Sequence, residues 1–95
     1  EFEFVLAEHP KRPLALTNLG YVYVLKGEYE RGENLYDRAI ALDPDYEQAI
    51  LNKAAVRLLK NDIPYGKRLL ERALKLNPQN AQTRAMLARV REFPG

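Results

Sequence analysis

The feature that most restricts what this chain can fold into is a period of 34 residues. The stretch 13–46 reads as a helix, a turn at Gly27, a second helix and a stop at Asp43-Pro44. Moved on by 34 residues it falls on 47–80 with its punctuation kept. Gly27 lands on Asn61, Leu42 on Leu76, Asp43-Pro44 on Asn77-Pro78, and Ala39-Ile40 on Ala73-Leu74. A unit of two short helices cannot bury its apolar stripe alone. It must stack on a copy of itself, so this period specifies a helical solenoid.

The punctuation predicts the helices one by one. Pro13 suits a first turn, where its missing N–H costs nothing. That helix should run to about Lys26, with Gly27 as the left-handed residue that ends it. The second spans about Tyr29 to Leu42, and Pro44 prevents its continuation. Asp45 with Gln48 three residues on has the pattern of a capping box and should open the third, which runs to about Lys60 before Asn61. Asp62 should cap the fourth, ending at Leu76. Asn80 should cap the last, Ala81 to about Glu92, with Pro94-Gly95 closing the chain. Connectors this short make each helix antiparallel to the next. At the start, Phe2, Val5 and Leu6 share one helical face, and Pro10 falls in register with Pro44 and Pro78. Residues 1–9 therefore read as the tail of a second helix whose partner is missing.

These residues resemble the tetratricopeptide repeat family. The resemblance rests on Leu16, Leu19, Gly20, Tyr23, Tyr36, Ala39 and Pro44 in the first unit, and on the run Asn18-Leu19-Gly20-Tyr21-Val22-Tyr23. The second unit offers Ile50, Ala54, Leu70, Ala73 and Pro78. It implies an all-α fold, a right-handed superhelical stack of antiparallel helix pairs forming an α-solenoid. One domain is expected over 1–95: the end of a truncated preceding repeat (1–12), repeats at 13–46 and 47–80, and a C-terminal capping helix (81–95). Gly20, Ala54 and Ala88 keep one position small, so paired helices can approach closely. Three features depart from the family pattern. Gly32 and Gly66 stand where alanine is usual, which favours still closer packing. Lys53 and Arg57 replace apolar residues: either their stems lie along the core with the charges reaching out, or they mark a local site. Arg84 and Arg91 give the last helix a charged outer face, as a terminal cap would have.

The resemblance also implies a function, a non-catalytic module that binds a peptide or helix of a partner protein. The first helices of such repeats line a concave groove. In the first unit the groove positions are Leu14, Thr17, Asn18, Tyr21, Val24 and Leu25. In the second they are Gln48, Leu51, Asn52, Ala55, Leu58 and Leu59, and in the last helix Gln82, Ala85, Met86 and Arg89. The lining is mostly apolar, with Asn18 and Asn52 in register. Each amide offers a donor and an acceptor, either to an extended ligand or to nearby backbone. Family members that hold the acidic tails of chaperones use a five-residue carboxylate clamp of lysine, two asparagines, lysine and arginine. Here those places hold Thr17, Tyr21, Asn52, Gln82 and Met86, of which only Asn52 matches. No chaperone-tail binding by that clamp is expected, because the cations for charge-assisted bonds are missing.

Composition narrows the rival functions. The chain has no cysteine, no serine, no tryptophan and a single histidine, His9, which leaves little for nucleophilic or acid–base chemistry. Asp43, Asp45 and Glu47 lie close in sequence but read as helix punctuation. No ligand set for a transition metal and no glycine-rich phosphate loop is present, so neither metal nor cofactor is expected. No apolar run approaches membrane-spanning length. Lys53, Arg57, Lys60, Lys67, Arg68, Arg72 and Lys75 could meet phosphates, but only Tyr65 lies near to stack a base, so nucleic acid is the weaker reading. Charge is uneven along the chain. Residues 1–47 hold 5 Lys/Arg against 10 Asp/Glu, and residues 48–95 hold 10 against 3. The two halves are either solvated faces of opposite sign or complementary surfaces that steer association between copies. Self-association, with a homodimer through exposed repeat surfaces, is therefore the alternative to peptide binding.

Overall fold

The computed structural model describes residues 12–91. The expected helical tail at 1–9, with Phe2, Val5, Leu6 and His9, and the chain end from Glu92 lie outside the described residues. Five helices follow one another: α1 (Pro13–Leu25), α2 (Tyr29–Leu42), α3 (Glu47–Leu59), α4 (Ile63–Leu76) and α5 (Ala81–Val90). α1 packs on α2 and α3 on α4, while α2–α3 and α4–α5 contacts join successive pairs.

The two helix-ending turns are the same structure 34 residues apart. Gly27 has φ +84° and Asn61 φ +65°. The N–H of Glu28 donates to the carbonyl of Tyr23 at 2.9 Å, and that of Asp62 to Arg57 at 2.8 Å. Gly27 and Asn61 donate to Val24 and Leu58. Together these bonds satisfy carbonyls that the helix end would otherwise leave bare, the Schellman arrangement. The proline stops repeat as well. Tyr46 N–H donates to Asp43 and Asn80 N–H to Asn77, closing a turn around Pro44 and Pro78.

Two expected caps are corrected. Asp45 does not cap α3: Tyr46 occupies the cap position and makes no side-chain cap bond. The Asp45 N–H instead donates to the Asp43 carboxylate at 3.2 Å, so the turn claims Asp45 before the helix begins. Asp62 stands at the cap of α4 without a cap bond, its carboxylate drawn to the Arg57 guanidinium at 3.5 Å. Asn80 caps α5 as expected, accepting from the N–H groups of Gln82 and Thr83.

The core has two centres. One gathers Leu16, Leu19, Leu35, Ala39 and Ala49. The other gathers Ile50, Leu51, Ala54, Leu69, Leu70, Ala73, Leu87 and Val90. Ile40 packs against both, which joins them across the repeat boundary. The close approach predicted at the glycines is present. A Cβ on Gly20 would lie 2.7 Å from the Tyr36 ring, and one on Gly32 would lie 2.7 Å from the Gly20 carbonyl oxygen.

Lys53 and Arg57 belong to the joint between pairs. Lys53 is almost fully buried, and its ammonium reaches Asp37 of α2 at 2.5 Å. Arg57 pairs with the buried carboxylate of Glu33, which Lys60 also meets at 3.3 Å. The Tyr65 ring lies under both heads, each 5.1 Å from its centre. Burial alone would lower the Lys53 pKa, but the hydrogen bonds to Asp37 and Tyr65 outweigh it and the net shift is upward. Their stems do lie along the core, but their charges are neutralised inside the joint rather than left in water.

Candidate functional site

The first helices present two matching faces. On α1, Leu14, Asn18, Tyr21 and Leu25 follow the i, i+4, i+7, i+11 spacing that keeps side chains on one side of a helix. Leu14 is 56%, Tyr21 52% and Leu25 68% exposed. Gln48, Asn52, Ala55 and Leu59 repeat the spacing on α3, and Leu59 is 62% exposed. α5 continues it with exposed Gln82 and Arg89 around half-buried Met86. Large apolar side chains in water at matching positions of adjacent helices are unusual enough to need a reason.

Several expected groove residues are placed elsewhere. Thr17 is 1% and Leu51 2% exposed, so both are interior residues with nothing to offer a ligand. Leu51 belongs to the second core centre. Leu58 covers Gly66 and Val24 covers Gly32, each filling the space a missing Cβ leaves inside its own helix pair. Ala85 is exposed but lines a cavity at the far end of the stack, beside Arg84 and Arg91.

Asn52 sits in a small polar network. Its side-chain oxygen accepts from Gln48 at 3.0 Å, and its amide is hydrogen-bonded to the Tyr36 hydroxyl. Burial pushes the Tyr36 pKa up to about 12; the Asn52 bond opposes this and nearby Tyr21 adds to it. Tyr36 is fully buried, and its hydroxyl ends at the Asn52 side chain of α3. This link was missed from sequence. The available signal was a tyrosine at a core register position, whose hydroxyl must find a partner when buried. Asn18 is exposed and has no such anchor among the described residues.

Among the described residues no group of three or more acidic or histidine side chains could hold a metal ion. No described helix is long and apolar enough to cross a membrane.

Residues 13–46 match the family model described as tetratricopeptide repeat. This stretch is a tetratricopeptide repeat. Solved structures extend the likeness to the whole fold. The first TPR domain of Spaghetti (RPAP3), bound to the HSP90 peptide SRMEEVD, superposes with a TM-score of 0.88 at 23% identity, covering 96% of this chain and 72% of that one. The second TPR domain of human RPAP3, in complex with an HSP70 peptide, gives 0.84 at 24% identity, covering 97% and 77%. YrrB, a TPR protein with an unusual peptide-binding site, gives 0.88 at 25% identity, covering 94% and 46%. No curated protein matches the sequence. The fold is thus the helical solenoid of TPR domains, and the relatives named are protein-interaction modules.

Proposed function

We propose that the chain is a non-catalytic TPR module that holds an extended peptide or a helix of a partner protein on the face of its first helices. The observation that supports this most is the matched pair of stripes, exposed Leu14, Tyr21 and Leu25 on α1 with half-buried Ala55 and exposed Leu59 on α3. In this reading 13–46 and 47–80 are two repeats, and α5 stacks on the second of them. Apolar contacts supply most of the affinity. Asn18 is the residue free to meet a peptide backbone, while Asn52, held by Gln48 and Tyr36, sets the register of the ligand.

The ligand differs in kind from those of the two RPAP3 domains. Their peptides end in an acidic tail, SRMEEVD in the first case. Among the described groove positions Arg89 is the one cation, and the clamp places hold buried Thr17 with Tyr21, Asn52, Gln82 and Met86. An uncharged or apolar peptide fits better.

A peptide-display selection on the purified chain, followed by titration of the selected sequences, tests both statements. Apolar sequences should be enriched, and Tyr21→Glu with Leu59→Glu should weaken them at least tenfold without changing the circular dichroism spectrum. The SRMEEVD peptide should show no saturable binding. Unchanged affinity in the double variant would sink the proposed face. Saturable micromolar binding of SRMEEVD would show that the clamp argument is wrong.

A further inference from the structure

Within each helix pair one strip of the first helix is covered by the second. On α1 the strip is Leu16, Gly20 and Tyr23, lying under α2; on α3 it is Ile50, Ala54 and Arg57, lying under α4. Counted on by 34 it becomes Arg84, Ala88 and Arg91 of α5. All three are exposed, and among the described residues no helix lies over them. A cavity of about 440 Å³ runs along the strip, floored by Leu74 and Leu87. A second of about 530 Å³ continues it between α4 and α5, adding Arg68, Arg72 and Lys75.

The same place one unit earlier is closed by charge pairs. Asp37 meets Lys53 across it at 2.5 Å, and Glu33 holds Arg57. The shift of 34 replaces Lys53 by Leu87 and Glu33 by Lys67. Arg91, the counterpart of Arg57, has therefore lost its acid to a lysine. Glu71 is the single carboxylate left there, and it forms no ion pair among the described residues. Arg72 is committed to the Pro44 carbonyl at 2.6 Å, and Arg68 lies over the Tyr65 ring. Lys75, Arg84 and Arg91 make no ion pair among the described residues.

We propose that this face docks an acidic amphipathic helix of a partner protein, laid antiparallel to α5 across Ala88. A small residue lets a helix approach as α2 approaches Gly20. Arg84 and Arg91 are seven residues apart, about 10 Å along the axis, so the docked helix carries carboxylates at the same spacing. An apolar residue between them meets Leu74 above buried Leu87. Where this chain covers itself, the first strip position is fully buried Leu16 or Ile50. Arg84 in that place is well solvated when uncovered. Opposite charge then supplies steering and specificity that weaken with salt.

The probe is a fluorescent eighteen-residue peptide with glutamates seven apart flanking leucine on one helical face. Its control has the same composition with the glutamates moved to the opposite face. Anisotropy titrations against the 95-residue chain should saturate for the probe and weaken at least tenfold for the control. Arg84→Glu with Arg91→Glu should weaken the probe at least tenfold. So should Ala88→Trp, which blocks close approach without changing charge. All these positions are exposed, so circular dichroism should be unchanged. Tyr21→Glu on the other face should leave the probe's affinity within twofold, which separates this site from the one proposed above. The proposal fails if the probe does not saturate, if the control binds equally, or if either variant of α5 binds normally. It also fails if an oligonucleotide displaces the probe at equal concentration, or if the α5 changes turn a dimer of the chain into a monomer. The face would then serve nucleic acid or a second copy.

Discussion

At the scale of single residues, the tightest constraint is the contact between Gly20 and Gly32. A Cβ on Gly32 would lie 2.5 Å from Val24 Cγ2 and 2.7 Å from the Gly20 carbonyl oxygen. The valine methyl can turn away, but the backbone oxygen cannot without moving the helix. Gly32→Ala should therefore destabilise the fold by about 1–3 kcal/mol despite its better helix propensity. Thermal unfolding would check this, and an unchanged or raised Tm would contradict it. A second residue-level expectation concerns Tyr36. Its folded pKa is about 12 against 10.0 for a free side chain, raised chiefly by burial. A group raised on folding stabilises fully below its unfolded value and loses that contribution as pH climbs to the folded one. Tm should thus fall between about pH 10 and 12, and the upward shift of Lys53 acts in the same direction. Tyr36→Phe should flatten part of that fall; an identical profile would mean that Tyr36 does not control it.

At the scale of elements, α2 and α3 are joined by charge as well as by apolar contact. Glu33 has 6% of its side chain exposed and faces both Arg57 and Lys60. Removing one cation from a buried carboxylate costs more than the pair contributed, because the remaining charge has no water to turn to. Arg57→Ala should cost about 2 kcal/mol, the usual penalty for a stranded buried polar group, with Lys60 retaining part of the compensation. Glu33→Ala in the same chain should recover some of it, and the cycle of four proteins measured by urea unfolding isolates the coupling. Strict additivity would show that the joint owes nothing to this pair. In the corresponding pair α4 and α5 the Glu33 position holds Lys67, so that joint packs on apolar contact without an equivalent ion pair among the described residues.

At the scale of the molecule, the uneven charge of the two halves bears on association. The acids of α2 are partly used inside the joint, by Lys53, Arg57 and Lys60. Fewer are therefore left for contact between copies than the sequence totals suggest. Light scattering over a range of concentrations at two salt levels should report a monomer. A dimer that weakens with salt would favour the self-association reading through opposed charges. A salt-insensitive dimer would place the exposed leucines of α1 and α3 in the interface instead.

The architecture was legible because it depends on backbone punctuation and spacing. Gly27, Asn61, Pro44 and Pro78 restrict dihedrals or remove a donor whatever surrounds them, so they marked the turns in advance. The 34-residue register then placed the core residues Leu16, Tyr36, Ala39, Ile50 and Leu70. What sequence could not assign was the direction of side chains that have a choice. Asp45 and Asp62 sit near helix starts, yet one serves the preceding turn and the other leans to an arginine. Thr17 and Leu51 carry groove positions but point inward, and Leu58 turns to fill the space over Gly66. Lys53 and Arg57 looked like exceptions until Glu33 and Asp37 were found opposite them. Backbone limits are local and survive in one dimension, whereas the partner of a polar or flexible side chain is set by distances that exist only after the helices have met.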